Sequence, residues 1–130
     1  MAAPIVLFAY NRPETTRNTI QALKNNYLAA SSPLFLFSDG AKGPHDYQAV
    51  IDTRKVLRST SGFLSVELIE SEFNLGLANS VISGVTRILA ENASVIVIED
   101  DLLTTKNFLD FMNQALDFYE PNEAVFSVGG

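Results

Sequence analysis

Three carboxylates in a row, Glu99, Asp100 and Asp101, close the β-branched run "VIVIEDDLL" between Val95 and Leu103. Adjacent like charges repel, and a carboxylate held near the low-dielectric end of a sheet is costly unless it is paired or bound to a cation. A hard divalent ion, Mg2+ or Mn2+, meets that need. It prefers oxygen ligands, and at nucleotide sites it takes one or two from protein and the rest from phosphate and water. Along an extended segment Glu99 and Asp101 would point to one side and Asp100 to the other, so all three need not bind metal. The same acids would also serve as N-terminal caps of a following helix or as a solvated strand exit, and their spacing does not choose between these roles.

Other polar residues close other apolar runs. "AYNRP" offers Tyr10, Asn11 and Arg12; "SDG" offers Asp39; "ESEFNLGLANS" offers Asn74, Gly76 and Asn79. A guanidinium at Arg12 can pair with a phosphate or brace one of the acids, or simply lie on the surface. Gly76, just before a helix, signals a close backbone approach or a left-handed turn, with helix amides open to an anion; a plain turn with a cap fits as well. Asp39 likewise suits an Asx-type turn. No "GxxxxGK" and no "GxGxxG" occurs, so a cradle built from backbone amides alone is not expected. His45, the single histidine, lies beside Pro44 in a loop and is given no chemical role. No Ser/His/Asp or Cys/His set supports a serine or cysteine nucleophile.

These residues need a frame that brings loop ends together. Five apolar runs read as strands: Ile5–Tyr10, Leu34–Ser38, Ser65–Glu70, Ser94–Glu99 and Ala124–Val128. Four segments of helical period separate them. The first starts at Pro13 and presents Thr16, Ile20 and Leu23; the second, Asp46 to Ser59, presents Tyr47, Val50, Ile51, Arg54 and Leu57. The third, Leu77 to Glu91, presents Leu77, Val81, Val85, Ile88 and Leu89, and the fourth presents Phe108, Phe111, Met112, Ala115 and Leu116. Alternation of this kind predicts an α/β domain over 1–130, a mostly parallel sheet of about five strands with helices on both faces, an α/β/α sandwich. Ligands of such sheets gather at the carboxyl ends of the strands, where all the residues named above fall.

Charge narrows the partners. With 9 basic against 15 acidic side chains the net charge is -6, which speaks against a nucleic-acid face or a polybasic membrane patch. There is no cysteine, hence no disulfide framework and no thiolate metal site. The opening "MAAPIVLFAYNRP" is too short for a membrane span and lacks the basic region of a signal peptide, so no transmembrane segment is expected and the default location is cytoplasmic, at most peripheral to the inner face of the membrane. The chain stops at "AVFSVGG", just after a strand-like run, and reads as the N-terminal part of a longer protein.

Taken together, "PIVLFAYNRPETTRNTIQAL", "SDG", "NLGLANS" and "VIVIEDDLLTTKNFLDFM" resemble the nucleotide-sugar-binding half of GT-A glycosyltransferases. The likeness is nearest in flavour to the inverting family-two enzymes and to animal N-acetylglucosaminyltransferases, whose acidic motif also reads Glu-Asp-Asp-Leu ahead of a Phe-rich helix. It spans Pro4 to about Val128, and its most specific part is "VIVIEDDLL" with "NFLDFM" behind it. The resemblance implies that Asp101 touches a Mn2+ or Mg2+ ion on the diphosphate. It implies that Asp100 and Glu99 lie against the ribose and sugar or are braced by Arg12, and that Tyr10, Asn11 and Arg12 line the nucleotide. It further implies a hydrogen bond from Asp39 to the base and an approach of Asn74, Gly76 and Asn79 to ribose and phosphates. The donor would be a nucleoside-diphosphate sugar, with UDP favoured, and the acceptor a glycan or lipid-linked hydroxyl that attacks the anomeric carbon with inversion. A catalytic base is expected beyond Gly130, so none is named and this portion alone is expected to be inactive.

Two other classes compete. A noncatalytic α/β module binding Mg2+ in an acidic pocket, receiver-like or an interaction domain, would put its paired acids after the first strand, where "YNRP" stands instead. A nucleotidyltransferase would carry a glycine-rich first loop, which is lacking.

Overall fold

The computed structural model describes residues 2–118 and 124–128, Phe118 and the last five by their backbone alone. In chain order the elements are β1 (Ile5–Ala9), α1 (Pro13–Lys24), β2 (Pro33–Ser38), α2 (Tyr47–Arg58), β3 (Ser65–Glu70), α3 (Leu77–Leu89), β4 (Ser94–Glu99), α4 (Phe108–Phe118) and β5 (Ala124–Val128), with single 3-10 turns at Ala29–Ser31 and Pro44–Asp46. The sheet runs β3-β2-β1-β4 and is extended by β5; every neighbouring pair is parallel. The α/β sandwich expected from the alternation of strands and helices is therefore present. Boundaries move by one or two residues: β1 stops at Ala9 rather than Tyr10, β2 starts at Pro33, and α3 ends at Leu89 rather than Glu91.

β1 is apolar throughout because both of its faces are covered. Ile5 and Leu7, with Leu34, Leu36, Ile96 and Ile98 beside them, pack under Ile20 and Leu23 of α1, Val56 and Leu57 of α2, and Leu109, Met112 and Leu116 of α4. Val6 and Phe8, with Val95 and Val97, face Ile88, Val81 and Val85 of α3. Burying each of these large side chains contributes about 1.5–3 kcal/mol. β3, the edge strand, is largely exposed; its Glu67 and Glu70 pair with Arg87 and Arg58.

Helical periodicity located the helices but misjudged parts of their buried stripes. On α2, Tyr47 (62% exposed) and Ile51 (40%) stand outward, while Thr53 and Val56 face the core. Arg54 fixes that rotation: it donates to Ser38 Oγ at 2.9 Å, to Asp39 O at 3.2 Å and to Ser71 O at 2.7 Å, tying the ends of β2 and β3 together. Leu77 and Phe111 are likewise exposed, and Leu109, absent from the expected stripe, is fully buried.

The helices distribute unequally, with α1, α2 and α4 on one face and α3 on the other. α1 and α2 carry the chain across the sheet in one direction, and α3 carries it back on the opposite face, which preserves the crossover hand. α4 continues in α3's direction yet stays on α1's face, so the β4–α4–β5 unit has the opposite hand to the other three. Four hydrogen bonds between the β4–α4 segment and the α1 region hold it there: Thr19 Oγ1 to Asp100 O, Asn26 Nδ2 to Thr104 Oγ1, Tyr27 N to Lys106 O, and Leu109 N to Asn26 Oδ1.

Candidate functional site

The sheet order reverses between β1 and β4, and the loops leaving those two strands part to open a crevice. A cleft of about 260 Å3 lies there, running from the end of β2 across β1 to the end of β4. Tyr10, Asn11, Arg12, Asp39, Asn74, Gly76, Glu99 and Asp100 all line it. Four loops far apart in the chain thus meet at one rim. The cleft has an apolar floor as well, because Phe8 and Phe37 stack at its base with ring centroids 5.1 Å apart and planes 19° from parallel.

The β2 side of the cleft is organised around Asp39, which is 8% exposed. Its Oδ1 accepts the Gly40 amide at 2.9 Å and the Leu75 amide at 2.8 Å; its Oδ2 accepts the Gly76 amide at 3.0 Å and Asn74 Nδ2 at 3.3 Å. A carboxylate offers about four acceptor positions, so Asp39 is saturated from within the protein. The amides ahead of α3, which could have served an external anion, point to this internal one. Gly76 adopts φ 82° and ψ 156°, an extended positive-φ conformation that favours glycine and neither of the two expected alternatives: it is no left-handed turn, and open space lies where a Cβ would stand, so no close approach demands it. Gly40 matters for the other reason: a Cβ there would lie 2.6 Å from the Phe73 carbonyl carbon, so only glycine lets the two loops touch.

A second buried carboxylate, Asp46, binds Tyr10. It accepts the Tyr10 hydroxyl, the Lys42 amide at 3.1 Å and the Gly43 amide at 3.2 Å, folding the 42–46 loop against the end of β1. Lys42 thereby joins the cleft lining. Neither Lys42 nor Asp46 stood out in the sequence, since "DGAKGPHD" reads as ordinary loop chemistry.

The β4 side is built differently. Leu102 N donates to Glu99 O at 3.4 Å, so Asp100 and Asp101 occupy the two middle positions of a turn. The alternation expected of an extended segment ends at Glu99, and both aspartates meet the same cation: Arg12 Nη2 is 2.5 Å from Asp100 Oδ1 and Nη1 is 3.8 Å from Asp101 Oδ2. Asp100 has a 7% exposed side chain, whereas Asp101 is 32% exposed and Arg12 51%. Burial pushes the Asp100 carboxyl above an ordinary aspartate's 3.8; Arg12 pulls it back by charge and hydrogen bond, and the Asp101 charge adds to the rise. Asp101 Oδ1 is buried and has no hydrogen-bond partner.

No protein-family model matches this chain, and no curated protein matches it either.

Two expected residues stand apart from the cleft lining. Asn79 donates to Leu75 O at 3.0 Å, and helical spacing from Leu77 brings Ser80 to the cleft in its place. Asp101 sits just beyond Asp100, outside the lining. Among the described residues no group of three or more His, Cys, Asp or Glu side chains is arranged to hold a metal ion. A divalent ion that shares its shell with phosphate needs only one or two protein oxygens, and the unpartnered Oδ1 of Asp101 has the chemistry to be one. No helix among the described residues is long and apolar enough to cross a membrane.

Proposed function

We propose that the cleft binds a nucleoside-diphosphate sugar, UDP-linked by preference, as the donor site of a metal-dependent, inverting glycosyltransferase acting on a glycan or lipid-linked hydroxyl at the cytoplasmic side. The observation that carries this reading is the meeting of four strand-end loops at the β1/β4 switch point, with an aromatic floor at one end and the Arg12–Asp100–Asp101 cluster at the other. About 260 Å3 is below the range of pockets that enclose whole drug-sized ligands, and suits a nucleoside with its diphosphate reaching outward past Glu99 and Asp100.

In this reading Tyr10 and Asn11 flank the nucleoside, and Asn74 and Ser80 offer hydrogen bonds from the α3 side. Asp39 can contact a base only by sharing an oxygen with the amides it already accepts, so its main work is holding that wall. Asp101, with Asp100 beside it, would hold Mn2+ or Mg2+, which supplies charge neutralisation to a departing diphosphate. Arg12 opposes the rise that burial imposes on the Asp100 carboxyl and holds it in place, and its half-exposed guanidinium can also reach a phosphate oxygen. The base that accepts the proton of the acceptor hydroxyl is assigned to no residue of this chain.

Thermal melting with Mn2+ and a panel of nucleoside diphosphates tests the proposal. A uridine diphosphate should raise the midpoint only when the metal is present, by the equivalent of about 2.7 kcal/mol at a hundred times Kd. Asp101→Ala should abolish the metal-dependent part. Absence of a shift with every nucleotide in Mn2+ would reject the donor site.

A further inference from the structure

Two adjacent aspartates in a turn repel each other and do not hold that turn's shape by themselves. The shape comes from α1, an element that lies on a different part of the chain. In a helix the hydroxyl of a threonine ordinarily bonds the carbonyl four residues back. Thr53 does so, to Ala49 O at 2.8 Å. Thr19, fully buried, instead donates to the main-chain carbonyl of Asp100 at 2.7 Å, across 81 residues of sequence. Asn26, 5% exposed at the far end of α1, completes the attachment. Its Nδ2 donates to Thr104 Oγ1 at 3.0 Å and its Oδ1 accepts the Leu109 amide at 2.9 Å, one of the open amides of the first turn of α4. The backbone follows: Tyr27 N donates to Lys106 O at 3.1 Å.

We infer that Thr19 and Asn26 are positioning residues of the donor site, setting the orientation of the Asp100–Asp101 turn without touching ligand; the inference rests on the donor-site reading above. Arg12 leads into α1 as its N-terminal flanking residue, so the element that fixes the acids' main chain also carries their counter-charge. Thr19 governs the turn at its first aspartate, and Asn26 governs the run from the turn into α4. Loss of either leaves Asp101 chemically intact and mispositioned. Support of this kind behind a ligating carboxylate is worth between about tenfold and a hundredfold in metal affinity.

The test is a Mn2+ titration followed by electron paramagnetic resonance, with and without uridine diphosphate, on the wild-type chain and on Thr19→Val, Thr19→Ser and Asn26→Asp, each melted in parallel without ligand. Thr19→Val keeps volume and removes the bond, and should weaken Mn2+ binding in the presence of the nucleotide by about tenfold or more. Thr19→Ser restores the hydroxyl and should recover affinity. Asn26→Asp keeps the acceptor for Leu109 N, loses the donor to Thr104 and to Ala22 O, and should fall between the two. Variants that melt lower yet bind Mn2+ and nucleotide like the wild type would overturn the inference, since a merely structural role moves only the melt. Should Thr19→Val fail to fold, Asn26→Asp decides by the same criterion. A wild-type chain that binds neither metal nor nucleotide overturns the donor-site reading itself, which is visible before any variant is compared.

Discussion

The cleft has two acidic walls, and they solve the same electrostatic problem in opposite ways. On the β2 wall Asp39 is surrounded by amides and an amide side chain, every acceptor position filled. At the end of β4, Asp100 in the wall and Asp101 just outside it share a single half-exposed arginine, and one oxygen of Asp101 has no partner. A saturated buried carboxylate is a structural part, with nothing left to offer without giving something up. The Asp100–Asp101 pair, by contrast, leaves one oxygen, Asp101 Oδ1, without a partner, and the metal site proposed above depends on that oxygen. The difference separates a carboxylate that shapes the cleft from a pair whose bonding the protein leaves incomplete.

The sharpest way to break this contrast is to remove Asp39. Asp39→Ala strands the amides of Gly40, Leu75 and Gly76 and should cost about 3 kcal/mol or more in denaturant unfolding, whether or not metal is present. A small loss there would mean that the β2 wall is not what holds the two loops together.

Arg12→Ala should have a middling effect, about 1 kcal/mol at neutral pH once the exposure of the arginine is allowed for. Its pH dependence carries more information. The Asp100 carboxyl is raised in the folded state, so the contribution of that group to stability is complete below an ordinary aspartate's 3.8 and declines as pH rises through the folded value. Without Arg12 the folded value rises further and the decline steepens. Unfolding curves at pH 4 and pH 7 should therefore show a smaller gap between variant and wild type at the acid end. A gap that is the same at both would deny the coupling between Arg12 and Asp100.

The smallest effect is expected from Asp101→Asn without metal, within about 0.5 kcal/mol, because the variant removes only a long, partly solvated ion pair. A large loss would turn Asp101 into a second structural carboxylate and erase the contrast between the walls.

Much of the frame was legible in the sequence because it depends on local order. The apolar runs and helical periods gave the strands and α-helices of the described residues but not the two 3-10 turns, and the rule that strand ends gather ligands gave most of the cleft lining. What was hidden depends on partners distant in the chain. Thr19 was not among the positions the helical period placed on the buried face of α1, and neither its bond to Asp100 O nor the role of Asn26 carried a signal in the sequence. Tyr47 and Ile51 looked like core because periodicity reports a stripe without reporting that Arg54 turns α2 toward the sheet ends. Gly84 shows the limit clearly: a Cβ there would come within 2.8 Å of the Phe8 ring, a close packing that no helical pattern announces.

The charged pairs along β3 bear on a hazard apart from ligand binding. A parallel sheet that ends in an open strand presents unpaired backbone donors and acceptors to any neighbouring molecule. Glu67 with Arg87 and Glu70 with Arg58 surround that border with ions that a docking strand would have to strip of water. Such ions oppose edge-to-edge pairing, so neutralising both glutamates should make turbidity appear at lower concentration than in the parent chain.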